Sequence, residues 1–548
     1  MPLLEPKPLP VAEPEPAPPE PPPRGGIDVL EPESIARRGV VRVHGWALFP
    51  AGPPARVDLW LGDLPLGPAR LGLPRPDVCD TLGLEAGTAT GFELIANLED
   101  WPGENGEAFL RARATGPKGE LLELEPVALR VVAPTRPGRL QLQGPSPDLS
   151  CGDRGLRILV ATHQLDLGGA QLYLVELLEE MLRSGAVDPT VISANDGLLR
   201  GRLEALGVRV QVTGAPPADD VDAYLTWVDE LTVWAGAHDF EAAFVNTATS
   251  HVLPAVEAVG RLGIPAVWAI HESFETAELW SHVDPAIRRR AEAALAMVSQ
   301  PLFVATATER QFEPVTGRGR GLTIPYGLDL EPIEACRKNF DRAAARRAAD
   351  IPEEAEVVLC VGSIEPRKAQ VPLAQAFAQI ADRHPGARLV FVGGRPDLYT
   401  EVLLDYAASS PAAGRIEVVP MTPDVQPWFG LADLVVCASD VESLPRIAVE
   451  ALAWETPVLA TSVFGLPELI EDGENGWLCE PRDLTALSAA LERALGASPA
   501  ERRRLGRAGR ALVEERHDLA TYGAEIAALL ARIANGPSAV RFVDAAAG

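Results

Sequence analysis

Two glutamates eight positions apart, Glu442 and Glu450, lie in the most informative stretch of the chain, CASDVESLPRIAVEALAWETPVLATSVFGLPELIEDGENGWLCEP. An apolar strand ending near Ala438 predicts that Glu442 occupies the following loop. Pro445 suits the first turn of a helix, and Glu450 then lies one to two turns inside it. One carboxylate can reach a ligand from the loop and the other from the helix face. A carboxylate accepts two hydroxyl hydrogen bonds, the geometry that a ribose or sugar diol offers. The helix start adds free N–H groups and a positive dipole end suited to phosphate. The same spacing also suits a surface helix residue and a solvated loop residue, so it leaves both readings open.

The stretch CVGSIEPRKAQ carries the second set of candidates. Gly362 permits a tight turn beyond a strand, and Arg367 and Lys368 precede an apolar helical run. Lysine occurs only at positions 7, 118, 338 and 368 among 49 basic residues, so its presence at this corner stands out. Arginine by its fork and lysine as a compact charge could hold a pyrophosphate or neutralise a departing diphosphate. A solvated pair near a helix start is the plainer alternative. In ATHQLDLGGAQLYLVELLEEML, Gly168 and Gly169 separate a strand from a helix, where bare backbone amides can approach an anion. The spacing is neither a Walker loop nor GxGxxG, and a plain tight turn fits equally.

Of the eight histidines, His271 in PAVWAIHESFE ends an apolar strand and would project into a cleft, where its neutral ring could meet a sugar hydroxyl or developing positive charge. His163 is a weaker candidate; His44, His238, His251, His282, His384 and His517 read as structural or surface residues. HExxH and GxSxG do not occur, which removes support for a zinc peptidase or an α/β-hydrolase. The arginine runs Arg288–Arg290 and Arg502–Arg504 read as solvated faces, with an anionic membrane or acidic substrate as the sharper alternative.

These residues need elements to position them. The 548 residues suffice for roughly three or four domains. Residues 1–26 are proline-rich and read as a disordered tail. Residues 27–134 alternate, as in Val57, Leu59 and Leu61 against Asp58, Trp60 and Gly62, and read as a small β-sandwich followed by a linker at 135–155. From 156 the rhythm becomes apolar strand, glycine turn, helix. It runs through 156–330, with a strand expected near Met297–Val298, and restarts over 331–515. Two α/β domains in sequence imply a cleft at the carboxyl ends of their strands. A final helix at 516–536 is positioned to cross back, before a tail at 537–548.

A net charge of −28 argues against a general nucleic-acid binder while leaving small anionic substrates open. Six scattered cysteines without a CxxC pair read as reduced thiols in a cytoplasmic protein. The N-terminus lacks the basic and apolar regions of a secretion signal, and no run reaches the ~18 apolar residues of a membrane span. Peripheral contact at the inner membrane face stays open.

Several motifs in order then resemble a known family. Gly362 to Lys368, Glu442 and Glu450, Thr456-Pro457-Val458, Pro467-Glu468 and Asp472-Gly473-Glu474-Asn475-Gly476 are similar to the C-terminal half of family 4 glycosyltransferases, retaining enzymes of the GT-B fold. Gly168-Gly169-Ala170, Asn246-Thr247, His271-Glu272 and Pro325-Tyr326-Gly327-Leu328-Asp329 resemble the N-terminal half and the linker, with Tyr326 in place of the usual Asn. The resemblance implies two facing Rossmann-like domains after a small all-β domain. It implies a nucleotide-diphosphate sugar donor, a glycan or lipid-linked acceptor, front-face substitution and no metal or other cofactor. Glu450 would take the donor ribose and Glu442 the transferred sugar. Arg367 and Lys368 would hold the diphosphate with amides near Leu444, while Gly168 and Gly169 would face phosphate or acceptor and His271 the reacting sugar. Ser363, Ala369 and Pro445 depart from the usual Arg, Gly and Gly. Gly45-Trp46-Ala47, Arg75-Pro76-Asp77-Val78 and Gly91-Phe92 resemble the β-sandwich fused to bacterial polysaccharide glycosyltransferases, implying a carbohydrate-binding, positioning or spacer role. A sugar-nucleotide epimerase, a phosphorylase and an inactive glycan-binding relative are the competing readings.

Overall fold

Along Arg56–Leu61 the side chains of Val57, Leu59 and Leu61 are fully buried, while Arg56 is exposed and Asp58 and Trp60 only partly covered. That period of two makes a strand with one wet face. In the computed structural model, which describes residues 22–28, 34–36, 40–73, 75–84, 88, 90–97, 106–132 and 155–536, this strand belongs to the smaller of three units. Arg24–Asp28, Val40–Leu48, Gly91–Asn97 and Arg70–Leu73 form one antiparallel sheet. A second, mainly antiparallel sheet is built around Gly106–Thr115. The two share one core that includes Val43, Phe92, Leu59 and Leu110.

The residues that carried the resemblance here have packing roles. A Cβ on Gly45 would stand 2.3 Å from the Phe92 ring, and Arg75 forks onto Asp77 while also reaching Asp28. The first strand starts at Arg24, inside the segment read as tail. The linker and C-terminal tail expected from the sequence fall almost entirely outside the described residues.

From Leu156 the strands become mostly apolar because helices cover both faces. The first α/β sheet is wholly parallel, in the order Arg209–Val212, Val187–Asn195, Leu156–Gln164, Ala242–Asn246, Ala266–Ile270, Gln300–Phe303, Leu322–Thr323. The second, also parallel, runs Ile416–Pro420, Ala387–Gly394, Glu356–Val361, Leu434–Cys437, Val458–Thr461, Gly476–Cys479. In each sheet the order reverses beside the domain's first strand, creating a crevice at the strands' carboxyl ends.

Two expectations are corrected. Met297 ends the helix Pro285–Met297 and Val298 is its cap, donating to the Ala294 carbonyl; the strand starts at Gln300. The strong helix formers in AEAALAM carry the helix past the point where one β-branched valine suggested a strand. Arg290 is not on a solvated face: it forks onto Glu257, a buried carboxylate that also accepts from Tyr224. Arg502 pairs with Glu356 at 2.8 Å.

The helix Leu519–Ala534 leaves the second α/β domain and packs on the helix Gly169–Arg183 and the strand Ala242–Asn246 of the first. Gly327 is needed where it passes, since a Cβ there would lie 2.5 Å from Leu519 Cα. The preceding helix, Pro499–Arg516, presses on Arg446–Ala453, the helix that carries Glu450. Its Gly506 lets two backbones meet, because a Cβ would fall 1.9 Å from the Glu455 carbonyl oxygen. Gly506→Ala is therefore expected to destabilise the chain by ~2 kcal/mol or more in denaturant unfolding, since neither backbone can yield cheaply. Unchanged stability would contradict this packing.

Candidate active site

At the carboxyl end of Glu356–Val361 the chain turns through Gly362, at φ 132°, into a short 3-10 turn, Pro366–Lys368. The Lys368 ammonium lies over Gly362, where a Cβ would come within 2.7 Å of Nζ. No carboxylate pairs with it among the described residues. Arg367 is held instead. It donates to Glu365 Oε1 at 2.9 Å and to Glu442 Oε2 and the Val441 carbonyl at 3.3 Å each. Burial works against the Arg367 charge, but Glu442 and Glu365 outweigh it and raise its pKa. Ala369 follows with φ 53° and leads into the helix Gln370–Ile380, so a non-glycine residue occupies the left-handed region here.

Glu442 lies in the loop after Leu434–Cys437, and Ser443 and Leu444 follow in the bend before Pro445, the cap of Arg446–Ala453. Glu450 is 4% exposed. It accepts from Arg446 Nε at 2.8 Å, while Arg446 Nη1 and Nη2 fork onto Glu176 of the first α/β domain at 2.7 Å each. Burial raises the Glu450 carboxyl and Arg446 pulls it back down. Tyr326, also 4% exposed, feels the charges of Arg446, Glu450, Glu442 and Glu176, and its hydroxyl has no hydrogen-bond partner among the described residues.

The facing wall comes from the first α/β domain. Gly168 precedes the helix Gly169–Arg183, and a Cβ on Gly169 would reach Arg446 Cβ at 3.9 Å. His271 follows the strand Ala266–Ile270. Asn246 Nδ2 donates to the Ala170 carbonyl, which leaves Asn246 Oδ1 to accept from His271 Nε2–H at 3.0 Å and makes Nδ1 the acceptor of the ring. Burial lowers the His271 pKa to about 3, aided by His163. The Tyr173 ring packs edge-on against His271, and its hydroxyl pairs with Tyr522 of the crossing helix. Glu272 accepts from the Ala248 and His271 amides and lies near Arg367; burial raises its carboxyl. Thr247 holds φ 77°, an outlier for a β-branched residue, with its Oγ1 beside His163 Nδ1 at 3.1 Å.

The domains also meet at two further points. Glu468 accepts from the Thr306 and Ala307 amides at the start of the helix Thr306–Thr316, and Ser443 Oγ joins Thr308 and Ser273 in a hydroxyl chain at 2.7 Å per link.

Residues 341–512 match the model for glycosyl transferases group 1, and residues 167–332 that for glycosyltransferase family 4. A D-inositol 3-phosphate glycosyltransferase of Streptomyces avermitilis is 30% identical over 376 residues, which cover 63% of this chain and 78% of that protein. The chain belongs to the group 1 and family 4 glycosyltransferases. The same-named protein of Streptomyces scabiei is 30% identical over 358 residues, covering 60% and 78% of the two chains. In fold, this glycosyltransferase is similar to Anabaena HepE in complex with UDP and glucose, with TM-score 0.58, 21% identity, and coverage of 69% of this chain and 99% of that one. It is also similar to a sucrose-phosphate synthase of Thermosynechococcus elongatus, with TM-score 0.57, 20% identity, and coverage of 68% and 98%. The architecture is GT-B.

In this glycosyltransferase, Gly362, Arg367, Lys368, Glu442, Leu444 and Glu450 line the carboxyl edge of one sheet, and Gly168, Gly169 and His271 that of the other. Glu176, Arg446 and Tyr326 join them, and sequence reasoning gave the first two no role. The i, i+4 spacing of Arg446 and Glu450 was readable, but Glu176 is 270 positions away. Among the described residues no group of three His, Cys, Asp or Glu could hold a metal ion.

The histidines give a pH prediction. Gln171 Nε2 donates to His163 Nε2 at 2.7 Å, so the ring is held neutral, and burial lowers its pKa to about 4. A depressed histidine contributes stability above its unfolded pKa and loses it as pH falls, because the unfolded chain takes up the proton first. Between pH 6.5 and 4.5 this one group should cost ~1–2 kcal/mol after allowance for partial exposure. His163→Gln should flatten the loss by that amount in denaturant melts. An unchanged pH slope would show that His163 is not buried neutral.

Proposed function

We propose that the enzyme transfers a glycosyl group from a nucleotide-diphosphate sugar to a hydroxyl of a glycan or lipid-linked acceptor, with retention of configuration and without a metal. The observation that carries this reading is the Lys368 ammonium, half-buried over Gly362 beside Arg367, whose charge reaches Glu272, the carboxylate next to His271 on the facing wall. Glu450 takes the ribose hydroxyls, Glu442 the transferred sugar, and amides near Leu444 assist at the phosphates. Gly168 and Gly169 leave backbone facing phosphate or acceptor.

In the front-face reaction the bond from the anomeric carbon to the diphosphate oxygen breaks as the acceptor oxygen bonds to the same face. The acceptor proton passes to the departing diphosphate oxygen. The protein orients the partners, excludes water and neutralises the leaving group. Lys368 and Arg367 supply positive charge at the diphosphate, the task a divalent ion would otherwise perform. His271 is neutral through the working range and offers Nδ1 to a sugar hydroxyl. Glu272 is committed to two amides and Glu442 faces Arg367, so neither is poised as a nucleophile.

UDP-, GDP- and ADP-sugars, scored by thermal stabilisation and then by transfer, would identify the donor. Isomerisation of the donor without transfer would instead support an epimerase. Lys368→Ala should lower kcat by about 10²–10³-fold while nucleoside monophosphate binding changes little; equal loss in both would remove the leaving-group role. Transfer should persist within about twofold in EDTA, since the cationic side chains stabilise the diphosphate. A loss restored by added magnesium or manganese would overturn metal independence.

A further inference from the structure

Arg446 opens the helix Arg446–Ala453 with its guanidinium between two carboxylates of different domains. Its Nη1 and Nη2 donate to Glu176 Oε2 and Oε1 at 2.7 Å, and its Nε donates to Glu450 Oε1 at 2.8 Å. The three side chains are 12%, 11% and 6% exposed for Arg446, Glu176 and Glu450. Two parallel bonds fix the plane of a guanidinium as well as its position. The Nε–H lies in that plane, so the seat that Glu176 provides also sets where Glu450 Oε1 is held. The other oxygen of Glu450 keeps its lone pairs for a ligand.

The contact joins two helices of different domains. Glu176 lies two turns into the helix Gly169–Arg183, whose first residue comes close to Arg446: a Cβ on Gly169 would stand 3.9 Å from Arg446 Cβ, an ordinary contact. If that helix moves away, Arg446 loses its fork and Glu450 loses a fixed partner.

We propose that Arg446 is a positioning residue for nucleotide binding: seated by Glu176 of the first α/β domain, it orients Glu450 of the second, so that the ribose finds its carboxylate aligned only when the two domains are together. This rests on Glu450 as the ribose residue, as read above. Binding and domain closure are then linked, and the linkage is reciprocal. The charged and titratable groups facing Glu450 are Arg446 on its own helix, Glu176 on the opposing helix and Tyr326 on the interdomain connection, and Tyr326 in turn feels Glu442 of the preceding loop. Burial favours the neutral carboxyl and Arg446 opposes it. Without Arg446 the carboxyl would take up a proton nearer neutrality and lose an acceptor, so ribose binding should then strengthen as pH rises.

The test is calorimetric titration of the full chain with UDP, GDP and ADP, using whichever binds, with melting curves to check folding. Glu176→Gln, which keeps the size of the side chain and touches no nucleotide, should weaken binding about three- to tenfold through the lost coupling. Arg446→Leu should weaken it more, with affinity recovering from about pH 6 to about pH 8.5 while wild type stays flat. The double variant should bind no worse than Arg446→Leu. Should Arg446→Leu fail to fold, Glu176→Gln alone decides. Wild-type affinity in Glu176→Gln, or a double variant in which the two losses simply add, overturns the inference. If wild type binds none of the three nucleotides, or Glu450→Gln binds like wild type, the ribose reading falls and this inference with it. Wild type and Glu450→Gln behaving as read, with Glu176→Gln unaffected, removes the inference alone.

Discussion

A buried carboxylate has to stay ionised to serve as an acceptor where water is excluded, and burial alone drives it the other way. The cleft of this glycosyltransferase meets that constraint at three carboxylates, two of them the acceptors that the proposed function gives to the donor. Glu450, Glu442 and Glu272 are each covered, and each has a specific source of positive charge or backbone donors: Arg446, Arg367, and the amides of Ala248 and His271. Removing one member of the buried Arg446 cluster would leave an uncompensated charge costing ~3–5 kcal/mol. The arginines are therefore part of the frame on which any ligand must sit. Their carboxylate partners come from both domains in the case of Arg446, so the charge balance around Glu450 depends on the opposite wall.

The crossing helix has the corresponding mechanical role. Leu519–Ala534 packs on the helix Gly169–Arg183, and Tyr522 meets Tyr173, whose ring braces His271. Leu328 donates to the His517 carbonyl at 2.8 Å, and His517 Nδ1 meets the Tyr326 carbonyl, so both passages of chain between the domains are tied together. A side chain at the cleft face of the first domain is thus held by a segment that follows the second in sequence. The glycine loop, His271 and the Glu176 carboxylate share one support.

Local chemistry explains which parts of this were legible. The strand–turn–helix rhythm, the glycines beyond the strands and the spacing of Glu442 and Glu450 are short-range patterns, and the parallel sheets follow from them. Glu176 was not legible, because on a helix reading LYLVELLEEML it is one acidic residue among several, and only the opposing domain gives it a partner. Arg290 misled for the related reason that a run of arginines resembles a wet surface until the buried Glu257 is seen beneath it. Val298 misled through propensity, which the preceding helix formers outweighed. Sequence patterns report which face is buried; they do not report which distant charge waits there.

Arg367 and Lys368 are adjacent in sequence, yet the fold treats them differently. Arg367 is clamped by Glu365, Glu442 and a carbonyl, and its own carbonyl accepts from Asp440. Its fork is suited to hold geometry, and a ligand that meets it also meets Glu442. Lys368 is set on the backbone of Gly362, where any side chain would displace it, and no carboxylate among the described residues neutralises it. An ammonium with no carboxylate partner among the described residues can pair with an incoming anion. The turn also carries strain, since Ala369 adopts a left-handed conformation to start the next helix. Strain and an unpaired charge on neighbouring residues of one turn suit the proposed diphosphate site: a frame that fixes one cation and leaves the other free to meet the ligand.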